Sequence, residues 1–158
     1  MSVLSESIKQ RIREHFDRYP SKQAVTLPAL HMVQQELRCV PAGAIEDIAE
    51  LLELSPAQVY DTMSFYGFFR DEDKPLGKRR VWICRSLPCM LRGGDELLAE
   101  VCDRLHITPG GNAKNDQVTI ELAECLGACE MAPCMLIEDE VHPAIDADHV
   151  LQVAEGKS

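Results

Sequence analysis

Two close pairs of cysteines constrain this chain more than any other feature. Cys84-Arg-Ser-Leu-Pro-Cys89 is a C-x4-C pair, and Cys125-Leu-Gly-Ala-Cys129, 36 positions further on, is a C-x3-C pair. Each pair follows a short apolar run that reads as a strand, at the point where a loop begins. Strand ends in one sheet can bring two such loops together, so that four thiols surround one volume. A fold that does this has to supply a sheet and close backbone turns around sulfur. The chain has seven cysteines, an odd number, and its N-terminus lacks the basic and apolar regions of a signal peptide. Both points argue against a secreted disulfide framework and towards metal or redox chemistry in a reducing compartment.

Four thiolates suit either a [2Fe-2S] cluster or a zinc ion. Structural zinc sites typically draw on Cys pairs two to four residues apart, and C-x4-C with C-x3-C sits at or beyond the loose end of that range. A two-metal cluster takes two ligands per metal from wider loops. The plant-type ferredoxin run is not met, because no cysteine follows Cys89 at the required spacing. The loops carry residues that permit close backbone approach: Gly127 can take positive φ and turn amide N–H groups towards sulfur, Pro88 fixes the approach to Cys89, and Gly93-Gly94 lets the chain wrap.

The other cysteines read differently. Cys102 lies on the apolar face of a helical segment and reads as core. Cys39 falls in a helix–helix break and is given no role. Cys134 stands five residues after Cys129, near the second pair along the chain. Four ligands are already supplied and an apolar strand begins there, so Cys134 reads as a non-ligand. His15, His31, His106, His142 and His149 show no ligand spacing. Glu124 and Glu130 flank the second pair as solvated loop charges.

The rest of the chain reads as two parts. In the first, helical periodicity predicts helices over Ser7–Tyr19, Leu27–Leu37, Ala42–Leu52 and from Pro56 to about Met63. Ser55 serves as an N-cap before Pro56. Phe65, Tyr66, Phe68 and Phe69 form an aromatic cluster read as packing. Asp71–Lys78 is charged, with Pro and Gly, and reads as a linker. In the second part, Arg80–Cys84, Val118–Leu122, Met135–Ile137 and Val141–His142 read as strands, with helices over Gly94–Leu105 and Asp146–Ala154. The fold class is therefore α+β: a helical bundle over residues 1–70, a linker over 71–79, and a small α/β domain over 80–158.

Charge follows the same division. Residues 1–80 carry 12 acidic and 11 basic side chains, and residues 81–158 carry 14 and 5. The acidic second part suits a solvated surface or a basic partner. It also predicts a low reduction potential for a cluster held there. A chain of net charge −10 lacks the basic face that non-specific nucleic-acid binding needs. No charge-free run approaches the roughly 20 apolar residues of a membrane span, so no direct membrane insertion is expected. There is no dinucleotide-binding glycine motif, phosphate loop, zinc-protease motif or nucleophile elbow. A chain without a flavin or nucleotide site needs a partner to supply and remove electrons.

The motif Cys84-x4-Cys89 with Glu124-Cys125-Leu126-Gly127-Ala128-Cys129-Glu130-Met131-Ala132-Pro133 closely resembles the signature of the 24 kDa subunit family of respiratory complex I. These are thioredoxin-like [2Fe-2S] ferredoxins, and the family includes matching subunits of NAD-dependent formate dehydrogenases and bidirectional hydrogenases. The likeness extends through Leu30–Glu36, Val40-Pro41, Ala44–Ala49, Val59-Tyr60 and Ser64-Phe65-Tyr66, and so covers nearly the whole chain. It implies a helical bundle followed by a thioredoxin-like domain, and one [2Fe-2S] cluster ligated by Cys84, Cys89, Cys125 and Cys129. It implies no catalytic residue on this chain. It implies a partner subunit holding FMN and the NADH site, with which the cluster exchanges single electrons. It also implies a larger iron-sulfur subunit in the same NADH-quinone oxidoreductase assembly. The location implied is cytoplasmic, peripheral to the inner membrane, or the matrix side in a mitochondrion. The chain departs from the family at Cys134, where an aliphatic residue is usual, and at Ser64, where Thr is usual. The compact length, without a further cluster motif, favours complex I over a formate dehydrogenase or hydrogenase. A zinc-stabilised interaction module and a free-standing ferredoxin-like carrier are the rivals of other kinds.

Overall fold

The computed structural model describes residues 2–112, 117–144 and 146–154. The chain divides into two compact units, with the boundary between Pro75 and Leu76.

The first unit is built on helices α1 (Glu6–Arg13), α2 (Thr26–Leu37), α3 (Ala42–Leu52) and α4 (Pro56–Phe65). Their inward faces follow the helical period: Ile8 and Ile12 from α1, Leu30 and Val33 from α2, Ile45, Ile48 and Leu52 from α3, Val59 and Met63 from α4. Ser55 caps α4 in a reciprocal box with Gln58, the hydroxyl accepting from the Gln58 N–H and the Gln58 amide oxygen accepting from the Ser55 N–H. A cap of this kind contributes about 1 kcal/mol. The buried Gln34 amide ties down the segment after α4, donating to the Phe68 carbonyl at 2.9 Å and accepting from the Arg70 N–H at 2.6 Å.

Two expectations for this unit are corrected. The first helix ends at Arg13 rather than Tyr19, and a single 3-10 turn covers Phe16–Arg18. His15 is the reason. Its ring Nδ1 lies 3.0 Å from the Arg11 carbonyl, the acceptor its backbone would use in an α-helix, while its N–H bonds the Ile12 carbonyl instead. Tyr19 is exposed as a result. The aromatic cluster also splits. Phe69 is buried, Tyr66 and Phe68 pack on the core, and His31 stacks on Phe68. Phe65 is 80% exposed and touches Tyr66 edge-on, because at the end of α4 it points away from the face that carries Val59 and Met63.

The second unit contains β1 (Arg79–Cys84), the short helix α5 (Leu87–Met90), α6 (Gly94–Leu105), β2 (Val118–Ala123), β3 (Cys134–Ile137), β4 (Glu140–Pro143) and α7 (Ala147–Ala154). The strands form one sheet in the order β2-β1-β3-β4. β1 pairs parallel with β2 across the α6 crossover, antiparallel with β3, and β3 forms a hairpin with β4. Alternation places Val81, Ile83, Val118, Ile120, Met135 and Ile137 in one apolar cluster with Leu97 and Val101 of α6 and Val150 of α7. On the opposite pleat of β1 and β2, Arg80 lies over the Trp82 ring and pairs with the buried Glu121. This is the thioredoxin-like α/β arrangement, and with the helical first unit the chain is α+β. The boundaries of α6 agree with its apolar period. The short turn α5 was not legible, because a four-residue helix is too brief to show a period.

Candidate metal centre

Both cysteine pairs sit beyond the same ends of β1 and β2, which run parallel. Cys84 is the last residue of β1, opposite Ala123 of β2. Cys125 follows two residues after β2 ends. The parallel register therefore brings the two loops side by side. The chain leaves Cys84 through Ser86 into α5, which carries Cys89 inward.

Three sulfurs converge. The Sγ atoms of Cys84, Cys89 and Cys134 all lie within 4.8 Å of one another, and Cys89 and Cys134 are 3.7 Å apart. All three are buried, walled by Ala128, Ala132 and Leu126. The second pair is different: Cys125 and Cys129 are exposed, at the surface of their loop. Cys129 feels Cys125 most strongly and, more weakly, Cys89 and Cys84. All four cysteines of the sequence motif thus gather at one end of the sheet, two inside and two at the rim, with Cys134 joining the inner pair.

Backbone amides are turned towards this sulfur. The Cys84 thiol donates to the Glu124 carbonyl at 2.9 Å, and the Ser86 and Leu126 amides act on the same sulfur to lower its pKa. Gly127, at φ +79°, donates its N–H to Cys125 Sγ at 3.4 Å. The positive φ is the one anticipated for that glycine. Gly94 opens α6 directly against the first loop: a Cβ there would stand 2.8 Å from the Cys89 carbonyl oxygen and 3.3 Å from that of Cys84. Arg92 ties the two loops together by donating to the Ala132 carbonyl at 3.2 Å. At the surface, Arg85 places two N–H groups on one Glu124 oxygen, at 2.6 and 3.0 Å. Glu124 is therefore a loop clasp rather than a free charge, although an exposed pair of this kind adds little stability.

The thiols are not equivalent. Burial pushes Cys84 up, but the Ser86 and Leu126 amides, with Cys89 and Cys134, outweigh it and hold Cys84 below the ordinary thiol value. Burial and the neighbouring Cys84 push Cys89 up. Burial, then Cys89, push Cys134 up to about 12. The hydrogen bond from its Cys125 neighbour raises Cys129. Of these four, Cys84 alone is shifted towards the thiolate, the form in which cysteine binds metal.

A sulfur-only donor set in an apolar pocket, with amide N–H groups aimed at sulfur, fits a thiolate-ligated centre. Among the described residues, no carboxylate or imidazole joins the converging group. Cys102 lies in the α6 core as expected. Cys39 is half-buried in the first unit, where burial and then Glu72 and Asp71 raise its pKa. What sequence reading missed is how close Cys134 comes to Cys89. No spacing along the chain records that β3 pairs with β1, and only the strand order makes the two neighbours.

Known proteins share this architecture. The profile of the thioredoxin-like [2Fe-2S] ferredoxin family matches residues 12–157. The NADH-quinone oxidoreductase E 2 subunit of Rhizobium meliloti is 33% identical over 141 residues, covering 89% of this chain and 83% of that protein. The corresponding E-type NADH-quinone oxidoreductase subunit of Aquifex aeolicus is 33% identical over 135 residues, covering 85% and 83%. Subunit 2 of the Thermus thermophilus NADH-quinone oxidoreductase is 34% identical over 131 residues, covering 82% and 71%. Among solved structures, an NAD+-reducing [NiFe]-hydrogenase in the H2-reduced state superposes with a TM-score of 0.70 at 23% identity. That match covers 84% of this chain but 22% of the hydrogenase chain, and it speaks to the fold. With the profile spanning almost the whole length and relatives at this identity, the chain belongs to the thioredoxin-like [2Fe-2S] ferredoxin family.

Proposed function

We propose that this chain is the electron-transfer subunit of an NADH-oxidising complex, carrying one [2Fe-2S] cluster on Cys84, Cys89, Cys125 and Cys129. The observation that carries the reading is the gathering of the four motif cysteines at one end of the sheet, with the Gly127 N–H donated to the Cys125 sulfur. A cluster bound there supplies a one-electron redox couple. The chain's own residues do the rest. Cys84 and Cys89 hold from the buried side, and Cys125 and Cys129 hold from the rim. Leu126, Ala128 and Ala132 exclude water from the inner sulfurs. The Ser86, Leu126 and Gly127 amides stabilise negative charge on sulfur and so temper the low potential that an acidic domain imposes.

The electron source in this reading is a separate flavoprotein subunit holding FMN and NADH, with a larger iron-sulfur subunit in the same assembly. The exposed apolar side chains Leu87, Met90 and Leu91 beside the first loop and Met131 beside the second support a protein contact at the rim. The curated relatives are subunits of NADH-quinone oxidoreductases, which favours that complex over a formate dehydrogenase or hydrogenase. No helix of the described residues is long and apolar enough to cross a membrane. In this reading the chain sits on the cytoplasmic or matrix side, held to the membrane through its complex.

Metal and sulfide analysis tests this. The full chain, expressed with iron-sulfur assembly supplied and purified without oxygen, is expected to hold about two irons and two acid-labile sulfides. One zinc and no sulfide under the same conditions would make it a structural module instead.

A further inference from the structure

We propose that Cys134 is an interchangeable fifth ligand of this centre, able to take the position of Cys89 when Cys89 is removed or blocked. The inference rests on the cluster-carrying reading above and adds a residue that neither the sequence motif nor the family signature includes.

The geometry is that of co-ligands. Two thiolates held about 2.3 Å from one tetrahedral metal stand roughly 3.8 Å apart. Cys89 and Cys134 stand 3.7 Å apart, and both lie within 4.8 Å of Cys84. A metal held by Cys84 therefore has two sulfurs within reach on the buried side, where one four-ligand set uses only Cys89.

The two competing sulfurs are delivered by different parts of the fold. Cys89 comes from α5, a single helical turn in a loop. Cys134 comes from the first residue of β3, and the antiparallel register pairs Ile83 with Met135. Continuing that register by one residue sets Cys134 opposite Cys84. The position of Cys134 is thus fixed by the sheet and does not depend on the loop that carries Cys89. The surrounding walls are Ala128, Ala132 and Leu126, which offer no rival side-chain ligand. The exchange involves no change of oxidation state. One metal–sulfur bond to Cys89 is replaced by one to Cys134, and the Cys134 thiol proton passes to the departing Cys89 sulfur, or to solvent where Cys89 is absent.

Iron and acid-labile sulfide are to be measured on the full-length wild type, Cys89→Ala, Cys134→Ala and the double variant, each assembled with the iron-sulfur machinery supplied. Wild type and Cys134→Ala are expected to match. Cys89→Ala is expected to keep about half or more of the wild-type content with a shifted visible spectrum, and the double variant about one-tenth or less. A Cys89→Ala chain as empty as the double variant overturns the proposal, and so does loss of the cluster from Cys134→Ala alone. A wild type without iron and sulfide overturns the cluster reading and takes this inference with it.

A second measurement covers the case in which Cys89→Ala does not fold. In the full chain with Cys125→Ala and Cys129→Ala, the three inner thiols are expected to bind Co2+ with thiolate charge-transfer bands. Adding Cys134→Ala is expected to weaken that binding at least about tenfold. Equal Co2+ binding with and without Cys134 overturns the proposal.

Discussion

Asp47 brings a charge to the buried side of α3 and keeps it satisfied. Its carboxylate accepts from the backbone N–H groups of Val3 and Leu4 at 2.7 and 2.8 Å and from the Ser2 hydroxyl at 3.0 Å, with Lys9 nearby. Burial alone would raise its pKa. The Leu4 and Val3 amides, then Ser2 and Lys9, outweigh burial and hold it below the usual carboxylate value. A depressed folded-state pKa contributes stability above the unfolded value of about 3.9, and this stability is lost as pH falls through the folded value. Asp47→Asn is therefore expected to cost about 2 kcal/mol near neutral pH. Urea denaturation of both proteins should show that gap closing below roughly pH 4. A gap independent of pH would mean that the charge plays no part. At this scale the two cysteine pairs that the parallel strands bring to one end of the sheet were legible in the sequence. The close pairs named Cys84, Cys89, Cys125 and Cys129, and a glycine between Cys125 and Cys129 announced a left-handed turn. The partners of Asp47 and the contact of Cys134 with Cys89 were not legible, because these groups lie far apart along the chain and are brought near only by packing.

Among the elements, α6 shows how tightly helix and site are joined. It starts at a glycine pair, and Gly94 packs its Cα against the carbonyls of both cysteines of the first loop. Gly94→Ala would put a methyl 2.8 Å from a backbone oxygen, and neither neighbour can swing away as a side-chain tip could. The substitution is expected to lower thermal stability by roughly 1–3 kcal/mol and to reduce bound iron and sulfide in parallel, measured on the same preparation. Unchanged metal content with unchanged stability would show that the first loop does not lean on α6. Helix periodicity predicted α2, α3, α4 and α6 closely, since each buries one face against its own unit's core. It failed at the end of α1, where one histidine ring takes a backbone acceptor, a competition invisible to a hydrophobic count. It failed at α5, which is positioned by the loop it belongs to. The strands were found from β-branched runs, but their order was not, because pairing is a property of the sheet and not of any single run.

Over the whole molecule, charge and chemistry divide together: the sulfur site lies in the strongly acidic part, and the helical part is nearly neutral. We propose the organisation as a bundle over 1–70, a linker over 71–79 whose last residues already pack with the second unit and open β1, and a cluster domain over 80–158. Asp71, Glu72, Asp73, Lys74 and Pro75 are all exposed. Under limiting glutamate-specific protease, the first cut is expected after Glu72, leaving two resistant fragments. A first cut inside either unit would count against the division.

The central claim is that this chain carries single electrons and depends on another subunit's flavin to receive them. EPR tests it most directly, on the anaerobically purified chain and on the chain assembled with its flavoprotein partner. Dithionite is expected to produce a half-integer-spin [2Fe-2S] signal in the isolated chain, lost in Cys84→Ser and Cys129→Ser, whereas NADH produces it only when the flavoprotein is present. A chain that stays EPR-silent and free of sulfide after dithionite, or one that NADH reduces with no partner present, would contradict the account.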